Sequence, residues 1–122
     1  TDISLEKVSA EFAMKPQLIG NTTHQILHGG VIATALDTIG GAMAMSAVYA
    51  ALKGISREER LMRIFKLATL DMRVDYLKPG RGQRFTTSAT VLRVGKKVCV
   101  TRMELENEEK ELIAVGTATY MY

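Results

Sequence analysis

One carboxylate stands alone in the apolar run HQILHGGVIATALDTIGGAMAMSAVYAAL, residues 24–52, and it is Asp37. If the run is helical, the residues three, four and seven positions away share its face. These are Gly30, Ala33, Thr34, Gly40, Gly41 and Ala44, all small. Glycine inside a helix costs about 1 kcal/mol relative to alanine, and aspartate is itself a poor interior residue, so this turn carries a local penalty. Two arrangements would offset it. Either two helices pack closely across a dimer axis with Asp37 hydrogen-bonded to the partner, or the small residues leave space for a ligand with a carboxylate at its floor. The HGG of residues 28–30 precedes the run. Glycines at a helix start expose N–H groups at the positive end of the helix dipole, where an oxyanion or polarised carbonyl is favoured. Gly29 and Asp37 lie two turns apart, roughly 12 Å of helical rise, too far to act on one carbonyl. If both serve one substrate they must come from different subunits, as in a two-fold homodimer with antiparallel helices.

Other reactive residues fit less chemistry. His24 and His28 have i, i+4 spacing, but the helix starts after them and no glutamate follows as in a zinc protease motif, so a structural or substrate-positioning role is expected and no metal. Cys99 sits in the alternating KKVCVTRM, which reads as a buried small hydrophobe rather than a nucleophile. Ser46 lacks a G-x-S-x-G elbow. Arg81, Arg84, Lys96 and Lys97 cluster around two turns and form at least a solvated basic rim. The Gly80–Gly82 GRG lacks the third glycine and following helix of a dinucleotide fingerprint. Met43, Met45, Met62, Met72 and Met103 read as core, with a flexibility that would suit apolar chains of varied length.

The elements that must position these residues follow from the periodicity. The 122 residues are one domain's worth, and a composition 47% hydrophobic and 24% charged predicts a folded chain. Val31–Leu52 is long enough to span a bilayer, which takes about 20 residues. Its six strongest apolar residues contribute roughly −0.5 kcal/mol each to insertion, and Asp37 cancels them at roughly +3 kcal/mol. With no aromatic belt, the segment reads as a helix buried in protein and not a membrane span. Val8, Ala10, Phe12 and Met14 alternate up to Pro16, giving one strand; Leu70, Met72, Val74 and Tyr76 alternate with polar residues, giving a second. KGISREERLMRI reads as a charged helical or loop connection, and the PGRG, VGKK and NEEKE turns separate three further β-rich runs. The expectation is α+β: a curved antiparallel sheet of about five strands wrapped around one long central helix. Such a sheet covers only part of an apolar helix, so a homo-oligomer is expected, dimer or dimer of dimers. The net charge of +3 suits small anionic ligands and falls short of a nucleic-acid footprint. One cysteine and no export signal in TDISLEKVSAEF predict a cytoplasmic location.

ILHGGVIATALDTIGG, followed by LATLDMRVDYLKPGRG, VLRVGKK and ELIAVGTATYMY, resembles the hotdog-fold acyl-CoA thioesterases of the PaaI type, within the 4-hydroxybenzoyl-CoA thioesterase superfamily. The similarity covers nearly all of residues 1–122 and is greatest to bacterial medium- and long-chain acyl-CoA thioesterases. It implies hydrolysis of the thioester to a free acid and coenzyme A, with an aryl acyl group as a further possibility. No cofactor is implied beyond coenzyme A as part of substrate and product. By resemblance Asp37 is general base or nucleophile, Gly29 the oxyanion donor, and His28 positions the thioester. Asn21 assists from one step upstream of the commonest spacing, where Thr22 stands, and Thr69 orients the water. Gly30, Thr34, Gly41 and Arg81 are expected to contact substrate, with Lys96 and Lys97 near the pantetheine and nucleotide. A thiolate leaves readily, its conjugate acid having a pKa around 8.5, so one carboxylate and one oxyanion donor could suffice. Two other classes share the fold: a non-catalytic acyl-CoA sensor, and a dehydratase, against which the spacing of HGG and Asp37 speaks.

Overall fold

Period-two alternation and period-3.6 patterning segregate cleanly along this chain. The computed structural model describes residues 2–3 and 6–122, so residues 1, 4 and 5 of the stretch read for an export signal lie outside the described residues. The strands are β1 Asp2–Ile3, β2 Lys7–Ala13, β3 Ile19–Asn21, β4 Ile26–Leu27, β5 Ala68–Tyr76, β6 Arg84–Val94, β7 Val98–Asn107 and β8 Leu112–Met121. The helices are α1 Gly29–Ala51 and α2 Arg57–Phe65. One antiparallel sheet has the order β1-β2-β6-β7-β8-β5, and β3 and β4 form a separate small hairpin. Five long strands against one long helix is the α+β arrangement that the periodicity predicts and the hotdog fold that the resemblance implies. The two-residue β1 and the β3–β4 hairpin are additions that runs this short do not announce.

α1 lies on the sheet through Ile32, Leu36, Ile39, Gly40, Met43, Ala44, Ala47 and Val48, all buried. The sheet answers with Phe85 and Ala89 of β6, Cys99, Met103 and Leu105 of β7, and Ile113, Ala114, Ala118 and Tyr120 of β8. Burying each larger side chain is worth roughly 1.5–3 kcal/mol, which offsets the low helix propensity of this glycine-rich segment. Its length and mean hydropathy of 1.5 would also satisfy a membrane span. The buried stripe matching the sheet accounts for that apolarity inside the fold. The opposite side, with Gly30, Thr34, Thr38 and Met45, is exposed in the isolated chain.

The charged connection after α1 is a helix. Ser56 caps α2 by accepting from the Glu59 N–H at 3.2 Å. Glu58 and Glu59 in its first turn and Arg63 in its last complement the helix dipole.

β5 departs from the simple alternation. Its pairing with β8 shifts register between Thr69 and Asp71, so Leu70 is an extra, bulged residue, 54% exposed. The expected inward set of Leu70, Met72, Val74 and Tyr76 is therefore corrected at its first member. Thr69 takes the inward phase, opposite the buried Tyr120, and Met72, Val74 and Tyr76 follow opposite Ala118, Gly116 and Ala114.

Candidate active site

The start of α1 is built from the β3–β4 hairpin. The Asn21 side-chain oxygen accepts from the backbone N–H groups of Thr23 at 3.1 Å and His24 at 3.2 Å, turning the chain toward β4. The backbone N–H of His28 donates to Leu18 O at 2.8 Å. A Cβ at Gly20 would stand 2.8 Å from the His28 Cα, so glycine there lets the hairpin close onto this residue. His28 is the α1 N-cap, and its Nδ1 accepts from the Gly30 N–H at 3.0 Å. With Nδ1 as acceptor the imidazole proton sits on Nε2, which makes no hydrogen bond among the described residues, and His28 is exposed. The Tyr76 hydroxyl donates to Gly29 O at 2.9 Å, while the Gly29 N–H makes no hydrogen bond among the described residues. It is an orphan donor at the positive end of a 23-residue helix. Asn21, His28 and Gly29 line one open pocket of about 270 Å³.

Two turns along α1, Asp37 is held from β5 and β8. Thr69 Oγ1 donates to Asp37 Oδ1 at 3.0 Å. The Tyr120 hydroxyl lies 3.1 Å from both Oδ1 and the Asp37 carbonyl oxygen. Thr69 and Tyr120 are cross-strand partners, so one row of the sheet delivers both donors to one carboxylate oxygen. Oδ2 receives no hydrogen bond among the described residues. Burial, then the neighbouring Asp37 charge, holds the Tyr120 hydroxyl well above the ordinary tyrosine pKa, so it remains a donor at neutral pH.

Tyr120 also explains one of the two helix glycines. A Cβ at Gly40 would overlap its hydroxyl and come within 3.0 Å of Met103 Sδ and Thr101 Oγ1. Gly41 carries no such constraint, since a Cβ there would meet only Tyr120 Cε1 at 3.7 Å.

The sequence-derived residues thus divide into two half-sites: Asn21, His28 and Gly29 at the helix start, and Asp37 with Thr69 farther along. Gly30 and Thr34 join His28 in lining a separate groove of about 690 Å³ with Phe12, Leu18, Val31 and Ala35. The Thr34 hydroxyl itself donates to Gly30 O at 2.8 Å. Arg81 and the Lys96–Lys97 pair sit at opposite ends of β7. Asn107, which donates to Arg81 O at 2.9 Å, closes one end, and the turn with Lys96 and Lys97 opens the other, roughly 30 Å apart along the strand. One chain cannot close both on the same phosphate. Among the described residues no hydrogen bond joins His24 to His28, and no group of three or more His, Cys, Asp or Glu side chains could hold a metal ion. Cys99 is fully buried, and burial pushes its thiol up to about 11. Tyr120 is the residue that sequence reading missed. Its one signal was an aromatic residue in phase with the inward positions of the last strand.

Comparison with known proteins gives consistent results. A thioesterase superfamily model matches residues 24–114. The medium/long-chain acyl-CoA thioesterase YigI of Escherichia coli K12 is 46% identical, the alignment spanning 98% of this chain and 80% of YigI. A Shewanella oneidensis protein related to the thioesterase superfamily is 51% identical, with a TM-score of 0.91 over 96% of this chain and 76% of its own. A Bacillus halodurans protein solved with CoA is 27% identical, with a TM-score of 0.70 over 93% of this chain and 65% of its own.

Proposed function

This chain belongs to the thioesterase superfamily, and from that premise we propose that it hydrolyses medium- or long-chain acyl-CoA to the free acid and coenzyme A. The observation that carries the reading is the asymmetric Asp37 carboxylate. Thr69 and Tyr120 both donate to Oδ1, which fixes the group and leaves Oδ2 as the oxygen that takes a proton from water or attacks the thioester carbon.

The charge that develops on the carbonyl oxygen needs a donor in place beforehand, and the orphan Gly29 N–H at the positive end of α1 suits it. His28 Nε2–H lies in the same pocket, placed to hold the thioester at the helix mouth. Within one chain Gly29 and Asp37 are separated by roughly 12 Å of helix, so Gly29 of one subunit serves Asp37 of the other. β5 is the sheet edge that suits the two-fold contact: among the described residues it pairs only with β8, and it carries Thr69 and Tyr76, which both brace α1. In the forward step water adds to the carbonyl carbon as Oδ2 accepts its proton, and the C–S bond breaks as the tetrahedral intermediate collapses. The thiolate departs with little acid assistance because its conjugate acid has a pKa around 8.5.

The test is free-thiol release from acyl-CoAs of graded chain length and one aryl-CoA, with the parent beside Asp37→Asn. The substitution preserves shape and an oxygen acceptor for Thr69 and Tyr120 but removes the base. Turnover that falls by three orders of magnitude or so with fold and oligomer intact is expected. Acyl-CoA binding without thiol release by the parent would replace the enzyme with an acyl-CoA sensor.

A further inference from the structure

Around the start of α1 the backbone N–H groups of residues 27–30 are all accounted for but one. Leu27 donates to Gly80 O at 3.0 Å, His28 to Leu18 O at 2.8 Å and Gly30 to His28 Nδ1 at 3.0 Å, which leaves Gly29 without an acceptor among the described residues. The bond from Gly30 differs in kind from the other two, because it ends on a side chain of the site. A Cβ on Gly30 would stand 3.3 Å from Nδ1, tighter than ordinary contact, so glycine here lets the imidazole fold back onto the backbone beside it. Were the ring proton on Nδ1, it would face the Gly30 N–H, and Nε2 would have only a lone pair to offer. The Gly30 N–H therefore selects the tautomer.

Two glycines in the first turn of a helix have little backbone restraint, and their N–H groups make no bond within the helix, so this donor needs a tether. The tether is on the other side of the same peptide group. Gly29 C=O and Gly30 N–H belong to one planar unit, and the Tyr76 hydroxyl donates to that carbonyl oxygen at 2.9 Å. A donor at the oxygen polarises the amide and strengthens the bond made by its N–H, by roughly 10–30%. One continuous chain thus runs from the Tyr76 hydroxyl through the Gly29–Gly30 peptide to His28 Nδ1. Its starting point is firm. Tyr76 stands opposite the buried Ala114 of β8, and the next two N–H groups, of Leu77 and Lys78, both donate to Ile113 O, at 2.9 and 3.1 Å. The ring also lies along residue 29, with Cε1 and Cζ 3.6 and 3.7 Å from where a Cβ would stand.

We propose that Tyr76 is a positioning residue for His28: through the Gly29–Gly30 peptide group, its hydroxyl keeps the imidazole in the tautomer that offers an Nε2–H to the thioester. The inference rests on the thioesterase reading for what the Nε2–H meets. It gives Tyr76 a part in the reaction without contact with the reacting atoms, and it separates the two braces that β5 supplies. Thr69 acts on the carboxylate, whereas Tyr76 acts on the donor that holds the substrate.

The test compares the parent with Tyr76→Phe, which keeps the ring and loses only the hydroxyl, in a His24→Gln background that leaves His28 as the single histidine. Tyr76 is 54% exposed, so folding should survive the change. Long-range proton–nitrogen NMR of the ring at roughly pH 9, well above the ordinary histidine pKa of about 6.5, reads the tautomer directly. The parent should show the Nε2–H form, and Tyr76→Phe a mixture with the Nδ1–H form. Thr69→Val, which loosens the other brace on the same strand, should leave the ring spectrum unchanged. In thiol release, Tyr76→Phe should lower kcat/KM roughly tenfold, chiefly by raising KM, because the imidazole holds the thioester both before and during reaction. Combined with His28→Ala it should lower kcat/KM no further than His28→Ala alone. An unmoved tautomer in Tyr76→Phe overturns the proposal, and so does a loss that adds in full to that of His28→Ala. Because the ring spectrum needs no turnover, a parent without thiol release would remove the hydrolase reading while leaving the link between Tyr76 and His28 to be judged on its own result.

Discussion

The division of the site into two halves on one helix has a quantitative consequence for mixtures of inactive chains. Asp37→Asn removes the base from one half, and Gly29→Pro removes the oxyanion donor from the other. Proline is well suited to that position. Gly29 is the first residue of α1, its N–H makes no helix bond, and His28 before it has the extended φ −63°, ψ 136° that a following proline requires. A Cβ on residue 29 would meet the Tyr76 ring at 3.6–3.7 Å, ordinary contact, so folding should survive. Loss of one such donor should lower turnover by roughly 10²–10³. Each variant alone should then be nearly inactive. In a dimer holding one chain of each kind, one site combines both defects and the other combines the native Asp37 with the native Gly29. Random exchange of equal amounts makes half the dimers mixed, each with one intact site, so about one quarter of the parent's specific activity should return. The assay is thiol release after subunits are exchanged, with the fraction of mixed dimers measured by native mass spectrometry of differently tagged chains. Mixed dimers without recovered activity would refute the shared site and require donor and carboxylate to meet within one chain.

The hold on Asp37 can be probed through Tyr120. Tyr120→Phe removes a donor to Oδ1 and to the helix carbonyl, and should lower kcat about tenfold with KM little changed, at a stability loss of about 1 kcal/mol. Gly40→Ala should reproduce that kinetic defect and lose roughly 1–3 kcal/mol by displacing the same ring, and in the double variant the two losses should fall well short of their sum. Strict additivity in urea unfolding and in kcat would show that the glycine and the tyrosine act separately. For pH, the buried Cys99 thiol titrates at about 11 against an ordinary 9.0, so between those values the unfolded chain releases a proton that the folded chain keeps. Stability therefore falls as pH rises, by roughly 2–3 kcal/mol between pH 9 and 11 from this group, and Tyr120 acts with the same sign above pH 10. Urea midpoints at pH 8 and 11 should differ less in Cys99→Ala than in the parent, and equal differences would assign the effect elsewhere.

What the sequence made legible follows from the range of each interaction. The limits of α1, the alternation of β2 and of KKVCVTRM in β7, and the distance between Gly29 and Asp37 depend on residues a few positions apart, so periodicity alone carries them. Thr69 depends on more. Simple alternation puts it on the outer face, and only the bulge at Leu70 turns it toward Asp37. A bulge is set by the pairing of β5 with β8, strands whose facing residues are some fifty positions apart, and no local pattern encodes that register. Tyr120 is hidden for the same reason, because its partner lies 83 residues away. Gly40 shows the reverse. Its cost to the helix was plain in the sequence, but the hydroxyl that requires it was not.

These non-local contacts converge on β5. Thr69 near its start fixes Asp37 and Tyr76 at its end fixes Gly29, so one strand sets the positions of both half-sites on α1. In the proposed dimer the same strand is the edge that meets its counterpart. A single two-fold contact along β5 would then place the carboxylate of one chain relative to the oxyanion donor of the other. Substitutions that weaken that edge, such as a proline in place of Arg73, should lower turnover and dimer content together while leaving the Asp37–Thr69–Tyr120 row within each chain intact. A variant that remained fully active as a monomer would break this link between the sheet edge and the chemistry.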